Sequence, residues 1–316
     1  MATKKIITIF GATGGQGGGL AQAILNDPNA EFSVRAITRN ADAEKVKALA
    51  ARGAEIVVAN IDDPGSLSKA FEGAYGAYCV TFYWDHFSPE KELEQARSMA
   101  NAAKEHGLVH VIWSTLEDTR QFVPLIDNRM PTLMENYKVP HFDAKGEANK
   151  FFTEAGVPTT FLRTSFYWDN FINLGMGPKK DTDGTLVFAL PMGERKLSGI
   201  AVEDIGKCAY RIFKEGTALA GKTIGVAGGH LSGAEMAQAF GKALNQDVVY
   251  HSIPFDDYRA FDFPGADDLG NMFQFYHDFA DEFQQSRNLE YARTLNPDLQ
   301  SFETWLQRNA GQLPME

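Results

Sequence analysis

A glycine-rich turn near the start of the chain constrains the fold more than any other feature. An apolar, strand-like run at Ile6–Phe10 leads directly into Gly-Ala-Thr-Gly-Gly-Gln-Gly at positions 11–17, and an amphipathic segment follows. Three glycines spaced three apart allow a sharp strand-to-helix turn, in which an anion can face the N–H groups and the dipole of the helix. This context predicts a dinucleotide site; a purely structural glycine turn is the alternative.

The residue after the second strand-like run indicates which dinucleotide binds. That run covers Phe32–Thr38, and NAD-specific folds place an acid at its end to hold the ribose hydroxyls. This chain has Arg39 there, at the spacing of about 20 residues past the glycines that the discriminating group requires. A guanidinium pairs bidentately with a 2′-phosphate, so NADP is favoured over NAD. The alternative is an arginine on a solvated loop with Asp42 as its partner.

Composition argues against several classes of function. The chain has 316 residues, enough for one large or two unequal domains, and its net charge of −11 repels the phosphates of nucleic acids and anionic membranes. Its two cysteines, Cys79 and Cys208, support neither a disulfide framework nor a cysteine metal site. The first apolar run is too short for a signal peptide, and no segment reaches membrane-spanning length. We therefore expect a cytoplasmic protein that binds neither nucleic acid nor membrane.

Strand-like and helical segments alternate through the first half of the chain. Because parallel strands need crossover helices, this alternation predicts an α/β fold with a Rossmann-type, doubly wound parallel sheet. The helical segment Glu90–His106 places Leu93 on its apolar face and Glu92 on its polar face. The strand-like runs are Ile6–Phe10, Val34–Thr38, Glu55–Ala59, Ala74–Phe82, Val109–Trp113 and Thr159–Leu162.

The pattern changes after about Arg163, where aromatic turns, a Gly/Pro/Lys stretch and short strands replace the regular alternation. We predict a dinucleotide-binding domain at 1–164 and a smaller α+β C-terminal lobe at 165–316. Residues of about 198–226 are expected to return to the main sheet. Within the lobe, Ser232 and Glu235 have the spacing of a capping box at the start of a helix.

Three polar and aromatic segments follow the fourth, fifth and sixth strand-like runs. In an open parallel sheet, ligands collect at the carboxyl ends of the strands. These side chains could wall a nicotinamide ring and its ribose, although aromatic loops also close the space between lobes. The segments are Thr81–His86, Ser114–Thr115 and Thr164–Asn170.

The segment His-Phe-Asp-Ala-Lys at 141–145 is expected at the start of the helix after the fifth strand. In short-chain dehydrogenases this helix carries Tyr-x-x-x-Lys, whose tyrosine transfers a proton while hydride moves. Here His141 replaces the tyrosine and Lys145 is retained. Histidine exchanges protons near neutral pH, so chemistry remains open; a surface or helix-cap histidine is the alternative.

Hydrolase and metal chemistry have no support in the sequence. The nucleophile-elbow pattern Gly-x-Ser-x-Gly is absent, which argues against a hydrolase triad. His106 and His110 stand four apart, but Gly107 between them indicates a helix ending in a turn rather than a zinc pair on one helical face. No metal site is predicted.

Several separated segments together resemble the NmrA-like atypical short-chain dehydrogenases over nearly the whole chain. A further stretch, 263–273, resembles the HSCARG-type NADP(H) redox sensors within that family. The other matching segments are the glycine turn at 11–17, Thr38–Asn40, His141–Glu147 and Tyr167–Asn170.

The resemblance implies a role for individual residues. Arg39 would meet the 2′-phosphate, and Ala43 stands where HSCARG-type proteins carry a further basic side chain, so the preference for NADP would be weaker. Lys145 would contact the nicotinamide ribose, and His141 and Tyr167 are the other catalytic candidates. The remaining cofactor contacts would be Gly11, Thr13, Gly14, Gln16 and Gly17 at the pyrophosphate, Asn60 and Ile61 at the adenine, Thr81 and Tyr83 along the channel, and Tyr167 and Asn170 at the nicotinamide.

Two functions follow from these observations. The first is an NADP(H) redox sensor with little dehydrogenase activity, in which the cofactor orders loops at 83–86 and 120–140 and changes affinity for a second copy of the chain or a regulatory protein partner. The second is an NADPH-dependent reductase of a quinone, carbonyl or imine. Its candidate proton donors are Tyr83, His86, His141 and Tyr167, with Ser114 or Thr115 orienting the small-molecule acceptor.

Overall fold

A seven-stranded sheet with the strand order β11-β6-β5-β4-β1-β2-β3 organises the first part of this computed structural model, which describes residues 4–315. The strands are β1 (Lys5–Ile9), β2 (Phe32–Thr38), β3 (Glu55–Val58), β4 (Gly76–Cys79), β5 (His110–Thr115), β6 (Thr159–Arg163), β7 (Phe166–Tyr167), β8 (Lys179–Lys180), β9 (Leu186–Leu190), β10 (Lys196–Ile200), β11 (Thr223–Gly225), β12 (Gly229–Ser232) and β13 (Val248–Ser252).

Helices follow most of these strands. They are α1 (Gly15–Asn26), α2 (Glu44–Ala51), α3 (Pro64–Phe71), α4 (Pro89–Glu105), α5 (Pro140–Ala155), α6 (Asn170–Asn173), α7 (Val202–Glu215), α8 (Gly233–Leu244), α9 (Phe255–Arg259), α10 (Ala266–Asp278), α11 (Ala280–Gln285), α12 (Leu289–Leu295) and α13 (Phe302–Asn309). No helix within residues 4–315 combines the length and apolar character needed to cross a membrane.

Strands β1 to β6 run parallel and confirm the predicted Rossmann-type fold. The order β3-β2-β1-β4-β5-β6 reverses direction between β1 and β4, and the crevice at such a switch point is where open α/β sheets bind ligands. Every residue of β4 and β5 is buried, as expected for strands covered by helices on both faces. The six predicted runs correspond to β1–β6.

The chain forms two compact units. The first contains the residues up to Asp118, Ala144–Arg163 and Glu203–Ile224, and the second contains Thr119–Asp143, Thr164–Val202 and the residues from Gly225 onward. The first domain was predicted at 1–164, whereas residues 119–143 group with the second unit. The reason is that α10 holds this segment: Asn271 donates to the carbonyl of Lys138 at 2.6 Å, and Gln274 donates to that of Arg129 at 2.6 Å.

The second unit contains two three-stranded sheets, β12-β10-β7 and β13-β9-β8. The predicted capping box is present at α8, where the Ser232 hydroxyl accepts from the Glu235 N–H at 3.2 Å and the Glu235 carboxylate accepts from the Ser232 N–H at 2.8 Å. Aromatic rings fill the interior of this unit. They include Trp168, Phe171, Phe188, Phe240, Phe302 and Trp305.

Candidate functional site

The glycine turn of the first unit has the geometry of an anion-binding turn. Gly11 follows β1 with a φ of +66°, which favours glycine, and its carbonyl accepts from the Gly14 N–H at 2.9 Å. At Gly17, a Cβ would lie 2.5 Å from the carbonyl oxygens of Phe10 and Gly11, so only glycine fits. No side chain of residues 4–315 caps α1, and Gly14 and Gly15 are exposed. The N–H groups of the first turn of α1 therefore have no side-chain cap within the described residues, as at helix N-termini that bind anions.

Gln16 uses its side chain within the sheet crevice. Its amide oxygen accepts a hydrogen bond from the Ser114 hydroxyl at 2.8 Å and another from the Tyr78 hydroxyl. The Gln16 side chain therefore bridges β4 and β5, and its predicted contact with a pyrophosphate stays a prediction. The neighbouring Thr115 hydroxyl donates to the Asn149 side chain at 2.8 Å, so both predicted orienting hydroxyls are engaged in packing the helices onto the sheet.

Arg39 follows β2 at the same edge of the sheet. Its side chain is 76% exposed, and its Nη2 lies 3.2 Å from Oδ2 of Asp85. Asp42, the partner considered from the sequence, does not pair with it. After β3, Asn60 is exposed and its side-chain oxygen accepts from the Asp62 N–H at 3.1 Å, which shapes the turn predicted to cover an adenine.

Lys145 is held by a buried carboxylate. Its Nζ donates to Oε1 of Glu92 at 2.5 Å, to Oγ1 of Thr81 at 2.8 Å and to the Thr81 carbonyl at 3.2 Å. The Thr81 hydroxyl donates in turn to the same Glu92 oxygen at 2.5 Å. The three N–H donors of the ammonium thus meet three acceptors of the chain itself. Lys145 must give up one of these bonds to contact a ribose.

Glu92 is the member of the candidate site that the sequence did not indicate. The helical period placed it on the polar face of its helix, but its side chain is 0% exposed in the structure. The Glu92 side chain points inward because Lys145, 53 residues later in the chain, supplies a cation for it. Burying a carboxylate is costly unless it is paired, so the buried Glu92 requires an internal cation, which Lys145 supplies. Helical periodicity carries no signal of a partner this distant in the sequence.

His86 lies on the other side of Glu92. Its Nδ1 accepts from the Ser88 N–H at 3.1 Å, so neutral His86 carries its proton on Nε2. This Nε2 is 3.6 Å from Oε2 of Glu92, and both atoms are buried without a hydrogen bond in the described chain. Lys145, Glu92 and His86 therefore form one continuous row of titratable groups.

The aromatic loop after β4 exposes the two neighbours of Tyr83 rather than Tyr83 itself. Tyr83, expected to line a cofactor channel, is buried and begins a short 3₁₀ turn that ends at Asp85. Phe82 and Trp84 are exposed instead. The Phe82 ring lies close to the glycine turn, because a Cβ added at Gly11 would be 3.0 Å from the Phe82 Cζ.

His141 belongs to the second unit, where it forms a buried pair. Its Nδ1 is 2.7 Å from Oδ1 of Asp268, and its backbone N–H donates to Oδ2 of the same residue at 3.2 Å. Nearby, Asp143 accepts from the Thr119 N–H and hydroxyl and from the Lys138 N–H. His141 is therefore not a surface histidine, because its side chain is buried and contacts Asp268 of α10.

Tyr167 and Asn170 also lie in the second unit. The Tyr167 hydroxyl is 3.4 Å from that of Thr164, and both predicted site residues are half-buried. Between them, Trp168 packs on Phe302 with ring centroids 5.3 Å apart and belongs to the aromatic core. Their predicted contact with a nicotinamide stays a prediction.

The two histidines considered as metal ligands lie in different local structures. Within residues 4–315, no group of three or more His, Cys, Asp or Glu side chains is placed to hold a metal ion. The helix α4 ends at Glu105, and Gly107 follows with a φ of +62°, as expected from the sequence. His110 is the first residue of β5, and its Nε2 is hydrogen-bonded to the Thr160 hydroxyl at 2.8 Å.

The chain is similar to known proteins over nearly its whole length. The model of the NmrA-like family matches residues 3–306. An NmrA-like family domain-containing oxidoreductase of Aspergillus hancockii is 28% identical, with 85% of this chain and 80% of that protein covered. The fold is similar to that of NmrA, a negative transcriptional regulator, in complex with NADP, with a TM-score of 0.78, 22% identity, and 97% and 95% of the two chains covered. It is also similar to the triphenylmethane reductase of Citrobacter sp. complexed with NADP(H), with a TM-score of 0.76, 20% identity, and 97% and 99% covered.

Proposed function

This chain belongs to the NmrA-like family, and from that premise we propose that it is an NADP(H)-binding redox sensor with little dehydrogenase activity. The glycine turn supports the cofactor assignment, since a Cβ at Gly17 would collide with the carbonyl oxygens of Phe10 and Gly11 and prevent the close strand-to-helix packing of dinucleotide-binding folds. Arg39 at the end of β2 supports the preference for a 2′-phosphate. The similar NmrA and triphenylmethane reductase structures were obtained with NADP or NADP(H).

The observation that carries the sensor assignment is the engagement of Lys145. A short-chain dehydrogenase needs a proton donor acidified by a neighbouring ammonium. Here the ammonium donates to Glu92 and Thr81 in the first unit. The tyrosine position is taken by His141, which is paired with Asp268 within the second unit. The chain thus keeps the binding elements and uses the catalytic pair in internal contacts. NmrA, whose fold is similar, is a negative transcriptional regulator, which is in keeping with this proposal.

A sensor also requires two conformations with unequal affinity for the cofactor, because equal affinity shifts no equilibrium. Residues with unfavourable backbone angles lie in or beside the loops expected to respond. Phe87, directly after the loop at 83–86, has a φ of +52°, and Met134 and Glu135 in the loop at 120–140 have φ values of +45° and +64°. Non-glycine residues in this region store strain that a second conformation would release.

The test is a calorimetric titration of the full chain with NADPH, NADP⁺, NADH and NAD⁺, followed by native mass spectrometry and limited trypsin digestion with and without each ligand. We expect NADP(H) to bind more tightly than NAD(H) and to change cleavage within residues 120–140 or the mass of the assembly. Binding with no change in either property would contradict the sensor. No binding of any dinucleotide would contradict the entire assignment.

A second candidate, an NADPH-dependent reductase of a quinone, carbonyl or imine, is favoured by the relatives that are named oxidoreductases. NADPH supplies the hydride in such a reaction, and the chain must deliver one proton to the acceptor. Of the candidate donors, His86 lies in the first unit beside the Glu92–Lys145 pair, with its Nε2 3.6 Å from Oε2 of Glu92. Stoichiometric NADPH oxidation with an acceptor panel, lost in His86→Phe, would establish the reductase over the sensor.

A further inference from the structure

Arg39 and Asp85 form a pair across the loop that follows β4. Arg39 Nη2 and Asp85 Oδ2 are 3.2 Å apart, and the side chains are 76% and 53% exposed. Within residues 4–315, Asp85 is the carboxylate paired with this guanidinium. The group expected to hold a 2′-phosphate therefore already carries an anionic partner supplied by the chain.

The same loop also covers the other phosphate position. The Asp85 N–H donates to the Phe82 carbonyl at 3.0 Å, which closes one turn of 3₁₀ helix, and Tyr83 anchors that turn in the interior. At one end of the turn, the Phe82 ring lies against Gly11. At the other end, the carboxylate lies against Arg39. One short turn thus lies beside both positions at which the cofactor would present phosphate.

We propose that Asp85 is a specificity-determining residue, whose carboxylate competes with the 2′-phosphate of the dinucleotide for Arg39. The inference rests on the proposed function, because it concerns the same cofactor site. A 2′-phosphorylated dinucleotide must displace Asp85 to reach the guanidinium. A dinucleotide without that phosphate has no such competition. Asp85 therefore lowers the preference for NADP(H) over NAD(H).

The size of the effect follows from the exposure of the pair. Exposed ion pairs are weak and screened by salt, so releasing Arg39 should strengthen NADP⁺ binding by about two- to fivefold. Binding of NAD⁺ should not become tighter. Ala43, the N-cap of α2, has no charged side chain that could bind the 2′-phosphate beside Arg39. Recognition of the 2′-phosphate therefore depends mainly on whether Arg39 is paired with Asp85.

The experiment is a titration of NADP⁺ and NAD⁺ at low and moderate salt with the wild-type chain, Asp85→Asn, Arg39→Gln and the double variant. Asp42→Asn is the matched control, because it makes the same charge change three residues from Arg39 without touching the ion pair. We expect Asp85→Asn to raise the NADP⁺ to NAD⁺ affinity ratio about two- to fivefold at low salt. Asp42→Asn should leave the ratio unchanged, and Asp85→Asn should have no effect once Arg39 is replaced.

Three results overturn the inference. An unchanged NADP⁺ to NAD⁺ affinity ratio in Asp85→Asn does so directly. An equal rise of the ratio in the Asp42→Asn control would show that the effect comes from the change in net charge and not from the ion pair. An equal gain in the Arg39→Gln background shows that Arg39 is not the group involved. These results are distinct from failure of the proposed function, in which the wild-type chain binds neither dinucleotide and both statements fall together.

Discussion

Replacing Lys145 with methionine tests whether the buried ion pair has the importance that its geometry indicates. Met keeps most of the side-chain length and removes the charge, so the Glu92 carboxylate, 0% exposed, loses its cation and retains the hydroxyl bond from Thr81. Removing one partner of a buried pair costs about 3–5 kcal/mol. Because the Thr81 bond remains, we expect the lower end, about 3 kcal/mol. That is a large part of the about 5–15 kcal/mol by which folded proteins are stable.

The assay is equilibrium urea unfolding followed by circular dichroism, on the single variants Lys145→Met and Glu92→Gln and on the double variant. The double variant removes both charges, so it should recover most of the stability lost in Lys145→Met. Lys150→Met is the matched control, because Lys150 lies on the same helix and forms an exposed pair with Glu147 at 2.8 Å. Its expected cost is at most about 0.5 kcal/mol.

The reasoning is refuted if Lys145→Met costs no more than Lys150→Met. It is also refuted if the losses of the two single variants simply add in the double variant, since a direct charge pair must show coupling.

Further changes test the turn, the pH dependence, the segment packing and the cap. Gly17→Ala places a Cβ against two carbonyl oxygens; we expect a loss of about 1–3 kcal/mol with weaker NADP⁺ binding, measured by thermal unfolding and calorimetry. Burial lowers the pKa of His110 from 6.5 to about 4. The unfolded chain therefore binds more protons between these values, and stability should fall as pH drops from 6.5 towards 4 by up to about 3 kcal/mol; His110→Leu should flatten the urea midpoint against pH. Asp268→Ala removes the acceptor of the His141 N–H and ring, so trypsin should cleave residues 119–143 faster; an unchanged rate counts against this contact. Ser232→Ala loses a capping bond and should cost about 1 kcal/mol in urea unfolding.

Local features of this chain could be predicted from the sequence because neighbouring residues determine them. The glycines at 11–17 are required by backbone angles and by close approach within the turn itself, and the Ser232 cap closes over three residues. The alternation of strands and helices similarly restricts the topology to few choices, since each parallel strand needs a crossover. The Rossmann-type sheet, the position of Arg39 after β2 and the start of α5 before His141 were all predicted in this way.

Tertiary structure decided which charges meet. Helical periodicity placed Glu92 towards solvent, because the period contains no information about Lys145, whose ammonium reaches Glu92 from another helix. The partner of Arg39 is Asp85, 46 residues away, rather than nearby Asp42. Likewise residues 119–143 belong to the second unit because amide side chains of α10 bind their carbonyls across more than 130 residues. Backbone geometry acts over a few residues, whereas burial of a charge or a polar group depends on whichever part of the folded chain can satisfy it.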